Sequence, residues 1–160
     1  MEITFTPIGL IHSPFRKLEE MPIQPAGAFG ILGTIDLYPD YVPGLQDLDG
    51  FSHIYVIYHL HKSDGWKPRV IPFLDKQERG VFATRAPHRP NPIGLSVLKI
   101  ESINGSQISV SNVDILDGTP LLDIKPYVPQ FDGAQDVRIG WIAENIQQVK
   151  NVRTDRRFSG

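Results

Sequence analysis

Asn104-Gly105 stands between two short runs of alternating apolar and polar residues, Leu98-Lys99-Ile100-Glu101 and Ile108-Ser109-Val110-Ser111. That dipeptide favours the positive φ values of a type I′ turn, which confines the segment to a β-hairpin. The rest of the chain is patterned in the same way. Ile3 to His12, Phe29 to Tyr38, Phe51 to Lys62, Leu121 to Tyr127 and Val137 to Ile142 are rich in β-branched and aromatic residues, with proline or glycine between them. Helix is expected only in short pieces near Tyr41–Leu48 and Ala143–Val149. So many short strands and so little helix predict a mainly β, single-domain chain closed into a β-barrel, with short peripheral helices.

The size suits one core. A chain of 160 residues with 41% apolar content buries roughly 70% of its unfolded surface. The absence of cysteine removes disulfides, thiol nucleophiles and thiolate metal sites. No secretory leader or long apolar run is visible, so a soluble, cytoplasmic protein is expected. Gly27, Gly30 and Gly33 lead into a strand rather than a helix, and there is neither a Rossmann fingerprint nor a Gly-Lys-Ser/Thr phosphate loop. No Gly-x-Ser-x-Gly elbow points to a serine hydrolase.

The net charge of -2 hides a segregation along the chain. Residues 62–99 carry eight Lys/Arg against three Asp/Glu, a local +5, and residues 150–160 carry four against one, a local +3. The flanking regions are acidic. Clustering of this kind attracts a polyanion even when the molecule is near neutral. Its centre is Gly80-Val81-Phe82-Ala83-Thr84-Arg85-Ala86-Pro87-His88-Arg89-Pro90-Asn91-Pro92-Ile93-Gly94, which holds three of the 14 prolines. Each proline fixes its own φ and pushes the preceding residue toward an extended conformation. The segment reads as a stiff loop that holds Arg85, His88, Arg89 and Asn91 still, rather than as core material.

Three further segments carry polar groups in a pattern. On a strand from Phe51 to His61, residues His53, Tyr55, Ile57, His59 and His61 share one face. His59-x-His61 would set two imidazoles ~6–7 Å apart, but no third ligand follows at a diagnostic interval, and no metal is expected. Asp117-Gly118-Thr119-Pro120 is a β-turn sequence that presents a carboxylate with backbone N–H groups. Beyond it, Asp123, Lys125 and Tyr127 alternate on one face, which is either exposed or lines a site. Pro22-Ile23-Gln24-Pro25-Ala26-Gly27 is an early extended loop suited to the lip of a pocket.

Taken together, the Gly80 to Arg85 and Arg89-Pro-Asn-Pro-Ile-Gly94 runs, Asp117-Gly-Thr-Pro120 and Asp123-Ile-Lys-Pro-Tyr127 resemble the TrmO family of tRNA (adenine-N6) methyltransferases. Phe51-Ser52-His53 and Ile8-Gly-Leu-Ile-His-Ser-Pro14 add to the resemblance, which covers residues 1–150 and leaves 151–160 as a short basic tail. It implies a non-Rossmann β-barrel methyltransferase, a homodimer with S-adenosylmethionine (SAM) near the subunit interface. The implied reaction methylates N6 of threonylcarbamoyl adenosine at tRNA position 37. The implied cofactor pocket takes Gln24, Pro25, Ala26, His61, Lys62, Arg85, Leu95, Asp117, Gly118, Thr119 and Pro120. Arg89, Asn91, Asp123 and Tyr127 are the candidates for the reacting end. Lys67, Arg69, Lys125, Arg153, Arg156 and Arg157, with Lys76 and Arg79 nearby, are candidates for the tRNA. Longer family members continue into a C-terminal domain, and the basic tail is expected to substitute for its grip. A non-catalytic SAM-sensing or RNA-binding barrel, and a small-molecule methyltransferase, are the alternative readings.

Overall fold

The computed structural model describes residues 1–23 and 25–158, with Pro25 described by its backbone alone. Six strands, β1 (Gly9–His12), β2 (Leu32–Leu37), β3 (His53–His59), β6 (Ile93–Asn104), β7 (Gln107–Ser111) and β8 (Thr119–Pro126), close into an antiparallel barrel in the order β1-β2-β7-β6-β3-β8. A two-stranded ribbon, β4 (Arg69–Val70) with β5 (Arg79–Gly80), lies outside it. The hairpin joining β6 to β7 forms, but not with a type I′ turn at Asn104-Gly105: Asn104 ends β6 paired with Gln107, and in the Gly105-Ser106 loop only Gly105, at φ 59°, has a positive φ. Twelve-residue β6 serves two neighbours, β3 along Ile93–Lys99 and β7 along Lys99–Asn104. A register shift between Ile100 and Ser102 accompanies the change of partner, as bulges do where a barrel strand bends.

Alternation divides each strand between core and outside. Ile11, Ile35, Leu37, Ile54, Val56, Tyr58, Leu98, Ile108, Val110 and Leu121 fill the barrel, and Val113 and Ile115 join them from the β7–β8 connection. Each such Ile, Leu or Val contributes roughly 1.5–3 kcal/mol through burial. A second register shift, between Ile57 and Tyr58 of β3, pairs Ile57 with Asp123 and Tyr58 with Leu121. Beyond it Asp123 and Lys125 take the outer face, joined by an ion pair of 2.8 Å.

One further expectation is corrected. Val137–Ile142 is not a strand; it runs into a 3-10 turn at Gly140–Glu144, because no barrel edge is left open for it to pair with. The short helical pieces expected near Tyr41–Leu48 and Ala143–Val149 are present, as 3-10 helices. In the first of these Pro43 lies inside the turn and removes an interior donor. Among the described residues the one α-helical turn, α1, covers Pro129–Asp132.

Candidate functional site

Antiparallel pairing all round the barrel puts three long connections at one end. These are 13–31 between β1 and β2, 60–92 between β3 and β6, and 112–118 between β7 and β8. The opposite end carries the hairpin, the 38–52 connection and the exit from β8. Every loop singled out in the sequence for a cofactor is therefore on the same end, although the loops are far apart along the chain.

Beneath these loops lies a buried polar chain. The Tyr58 hydroxyl lies 3.0 Å from the Ser96 hydroxyl, and the Ser96 hydroxyl donates to Asp114 Oδ1 at 2.7 Å. All three residues are buried. Gly94 makes room for this arrangement, since a Cβ there would run into the Tyr58 ring. Burial pushes the Asp114 carboxyl up to about 6, with the Ser96 hydrogen bond and the Arg85 charge acting in the opposite direction. Burial also raises the Tyr58 phenol, against the pull of Ser96 and Arg85. Arg85 thus lies within electrostatic reach of both buried groups while itself exposed.

The Asp117 turn is tied to the end of β1. Its carboxylate accepts from the Ser13 backbone N–H, lies 3.2 Å from His12 Nδ1, and pairs with Arg16 at 3.2 Å. Burial raises the carboxyl, but the bonds from Ser13 and His12 and the Arg16 charge bring it below its ordinary value. The backbone N–H groups of Asp117 and Gly118 donate to Phe15 O and Ile11 O. The expectation that this turn presents free N–H groups is therefore corrected: they close the barrel end. Thr119 is buried and its hydroxyl bonds Leu116 O, which leaves Gly118 and Pro120 half-exposed. An open groove runs beside the turn between His12–Arg16 and Gly30–Thr34.

The Arg/Pro connection is more than a stiff loop, for it carries a core of its own. Val70, Val81, Ala86 and Phe158 are buried together with Phe73 against them. The ring of Phe158, from the C-terminal segment, stands edge-on to Phe73 at 5.1 Å and His88 at 5.2 Å, and His88 Nε2 lies 3.1 Å from Phe158 O. Arg89 turns inward: one terminal nitrogen donates to Val81 O, Thr84 O and Ala86 O at 3.1, 2.8 and 3.4 Å. Asn91 is exposed at the end of the connection.

The remaining residues separate into groups. Lys62, Lys67 and Arg69 are exposed on the 60–92 connection, and His61 sits half-buried in the turn after β3, lowered by burial and by Lys62. Because β3 ends at His59, His61 leaves the strand face that His59 occupies. Gln24 lies outside the described residues, and Ala26 is exposed in a 3-10 turn over Pro25–Ala28. Leu95, 53% exposed, shares a row across the outside of the barrel with Ile57 and Asp123, two strand spacings or roughly 10 Å from the latter. Tyr127 lies at the opposite end of β8, edge-on to Tyr55 at 5.4 Å. In the tail, Arg156 meets Glu19, Arg157 meets Asp155 and Pro72 O, and Arg153 donates to Lys150 O.

The family model of the tRNA-methyltransferase O N-terminal domain matches residues 10–133. The chain belongs to the TrmO family. A probable S-adenosyl-L-methionine-binding protein of Pyrococcus abyssi is 49% identical over 156 residues, 98% of this chain and 85% of the relative. The tRNA (adenine(37)-N6)-methyltransferase of Homo sapiens is 37% identical over 140 residues, 82% of this chain but 31% of that protein. A crystal structure of TrmO from Pseudomonas aeruginosa superposes with a TM-score of 0.74 at 39% identity, covering 88% of this chain and 63% of that one. The chain thus spans most of the archaeal relative, about a third of the human one and under two thirds of the bacterial structure. Within the TrmO fold, sequence reading passed over Tyr58, Ser96 and Asp114. The only signal was a serine and a tyrosine at inward positions of otherwise apolar strands.

Proposed function

We propose that this protein is a SAM-dependent methyltransferase acting on N6 of the adenosine at position 37 of tRNA, with threonylcarbamoyl adenosine as the form it takes. The observation that carries the reading is the gathering of the three long connections, with Arg85, over a buried carboxylate at one barrel end, in a TrmO-family chain. The donor set there fits SAM. Lys62 suits its carboxylate, Leu95 and Pro120 offer apolar surface, and the Asp114 carboxylate favours a cationic ligand. Gln24, Pro25, Ala26, His61, and Asp117 to Thr119 complete the proposed pocket.

When bound, SAM supplies a methyl group whose bond to N6 forms as its bond to sulfur breaks, the electron pair staying on sulfur and the N6 proton passing to a base. The protein's part is chiefly to align the partners. The acyl substituent on N6 makes its proton more acidic and its lone pair less available, so stabilising negative charge there matters. Arg85, with Lys62 holding the SAM carboxylate, is the guanidinium we assign to that charge. We assign the proton to Asp123, which shares the outer row with Leu95 and pairs with Lys125. Arg89 works through the carbonyls it holds, fixing the loop that carries Arg85, and Asn91 sits beside it. Tyr127, at the far end of the strand, contributes as part of a second copy: the exposed row of Ile93 and Leu95 is the surface we assign to a homodimer.

The test is incubation with SAM and tRNA lacking this methyl group, followed by nuclease digestion and mass spectrometry. Methylated threonylcarbamoyl adenosine is expected. SAM binding without product on any tRNA would support the sensing alternative instead, and product that forms equally well on free nucleoside would support a small-molecule enzyme.

A further inference from the structure

Residues 66–89 put two large aromatics into solvent in a part of the molecule that is otherwise well held. Phe82 is 76% exposed and Trp66 is 54% exposed. A lone exposed aromatic needs no explanation, but the support under Phe82 is unusual. On either side of it Val81 and Thr84 are buried. Val81 N–H donates to Pro68 O at 3.0 Å, and the Trp141 indole N–H donates to Ala83 O at 2.8 Å. Arg89, which holds Val81 O and Thr84 O, also places its guanidinium carbon 5.8 Å from the centroid of the Phe82 ring. The turn is thereby fixed from three directions with its ring turned outward.

Charge surrounds the ring. The β4–β5 pairing sets Arg69 opposite Gly80, the Val81 N–H donates to Pro68 O and the Lys67 N–H donates to His88 O at 3.2 Å, so the segment from Lys67 to Arg69 runs alongside the Gly80–His88 stretch that carries Phe82. Lys67 and Arg69 are exposed and form no ion pair among the described residues. Rigid aromatic faces interleaved with unpaired cations suit a strand whose bases are unstacked and whose phosphates are accessible. A duplex hides its base faces and would use only the cations.

Resting on the tRNA reading above, we propose that Phe82, backed by Arg89 and flanked by Trp66 and Lys67, is a stacking platform for an unpaired loop base of the RNA substrate. It is a recognition surface separate from the reacting groups.

The test compares the full-length protein with Phe82→Leu, which keeps an apolar side chain but has no π face, and with Phe82→Tyr, which restores one. Each is titrated with an RNA hairpin bearing an unpaired loop and with an RNA duplex of equal length and charge, and SAM affinity is measured in parallel. Phe82→Leu is expected to weaken hairpin binding roughly tenfold, to change duplex and SAM binding less than about twofold, and to be rescued by Phe82→Tyr. Tryptophan fluorescence of the unsubstituted protein, which comes from Trp66 and from Trp141 beside the Phe82 turn, should be quenched by the hairpin more than by the duplex. Equal effects on hairpin and duplex, or unchanged hairpin binding, would overturn the platform while leaving the tRNA reading intact. A change in sedimentation without a change in hairpin binding would assign the surface to a second copy of the chain instead. If the unsubstituted protein binds no hairpin at all, the tRNA reading falls and the platform with it.

Discussion

Asp114 takes a carboxyl group into one of the driest parts of the barrel end, where burial holds its pKa at about 6 against 3.8 for the free group. Between those values the folded chain binds a proton that the unfolded chain has released. Stability from this residue is therefore greatest below the unfolded pKa and is lost as pH rises through 6, by about 3 kcal/mol. Asn at this position stays neutral and still accepts from Ser96. Asp114→Asn is expected to be the more stable protein at pH 7.5, and denaturant midpoints measured from pH 4 to pH 8 should show a flatter profile for it. A less stable variant at pH 7.5 would mean that the charge attraction to Arg85 outweighs desolvation. Arg89 gives a contrasting case. Its guanidinium answers three carbonyls, so Arg89→Met should cost roughly 2–3 kcal/mol. It should also weaken SAM as well as turnover, because the loop carrying Arg85 loosens. Selective loss of turnover with SAM affinity intact would return Arg89 to the reacting groups.

Periodicity was a good guide to elements wherever a partner strand was waiting. The Asn104-Gly105 hairpin, the His-rich strand and the strand through Asp123 all form near their expected positions. Val137–Ile142 carries the same alternation but meets no open edge, so its pattern goes unused. The small core of the Arg/Pro connection was invisible for the opposite reason. Val70, Val81 and Ala86 are too scattered among prolines to show a period, and the residue that completes them, Phe158, is 72 positions beyond Ala86. That separation yields a prediction for the C-terminal segment. Phe158→Ala removes a ring packed on Phe73 and His88 and should cost about 3 kcal/mol or more, concentrated locally. Hydrogen exchange should quicken across 66–90 while the barrel amides of β3 and β6 keep their protection. Uniform loss of protection would mean that the connection and the barrel unfold as one unit.

Across the whole molecule, closing six antiparallel strands is what converts scattered polar segments into one end of a barrel. The cofactor candidates were legible as residue types because the family's motifs are specific. Their convergence was not, since it depends on strand order. The buried Tyr58–Ser96–Asp114 chain also escaped, because nothing in sequence says that three polar residues from three segments will meet. The same closure sorts charge. Although the net value is -2, Lys62, Lys67, Arg69 and Arg85 all lie on the 60–92 connection, whereas Asp36 and Asp123 lie on the barrel wall. A polyanion approaching this end meets a positive field that a neutral molecule would not predict. If Lys67, Arg69, Lys76 and Arg79 of this connection each neutralise one phosphate, raising salt from about 50 to about 200 mM should weaken tRNA binding roughly 50- to 150-fold. Lys67→Gln with Arg69→Gln should reduce the slope of log K against log salt by nearly half, while SAM affinity stays the same at every salt concentration. A slope unaffected by the double variant would place the phosphates elsewhere on the molecule, with the C-terminal Arg153 and Arg156 as the next cations to replace.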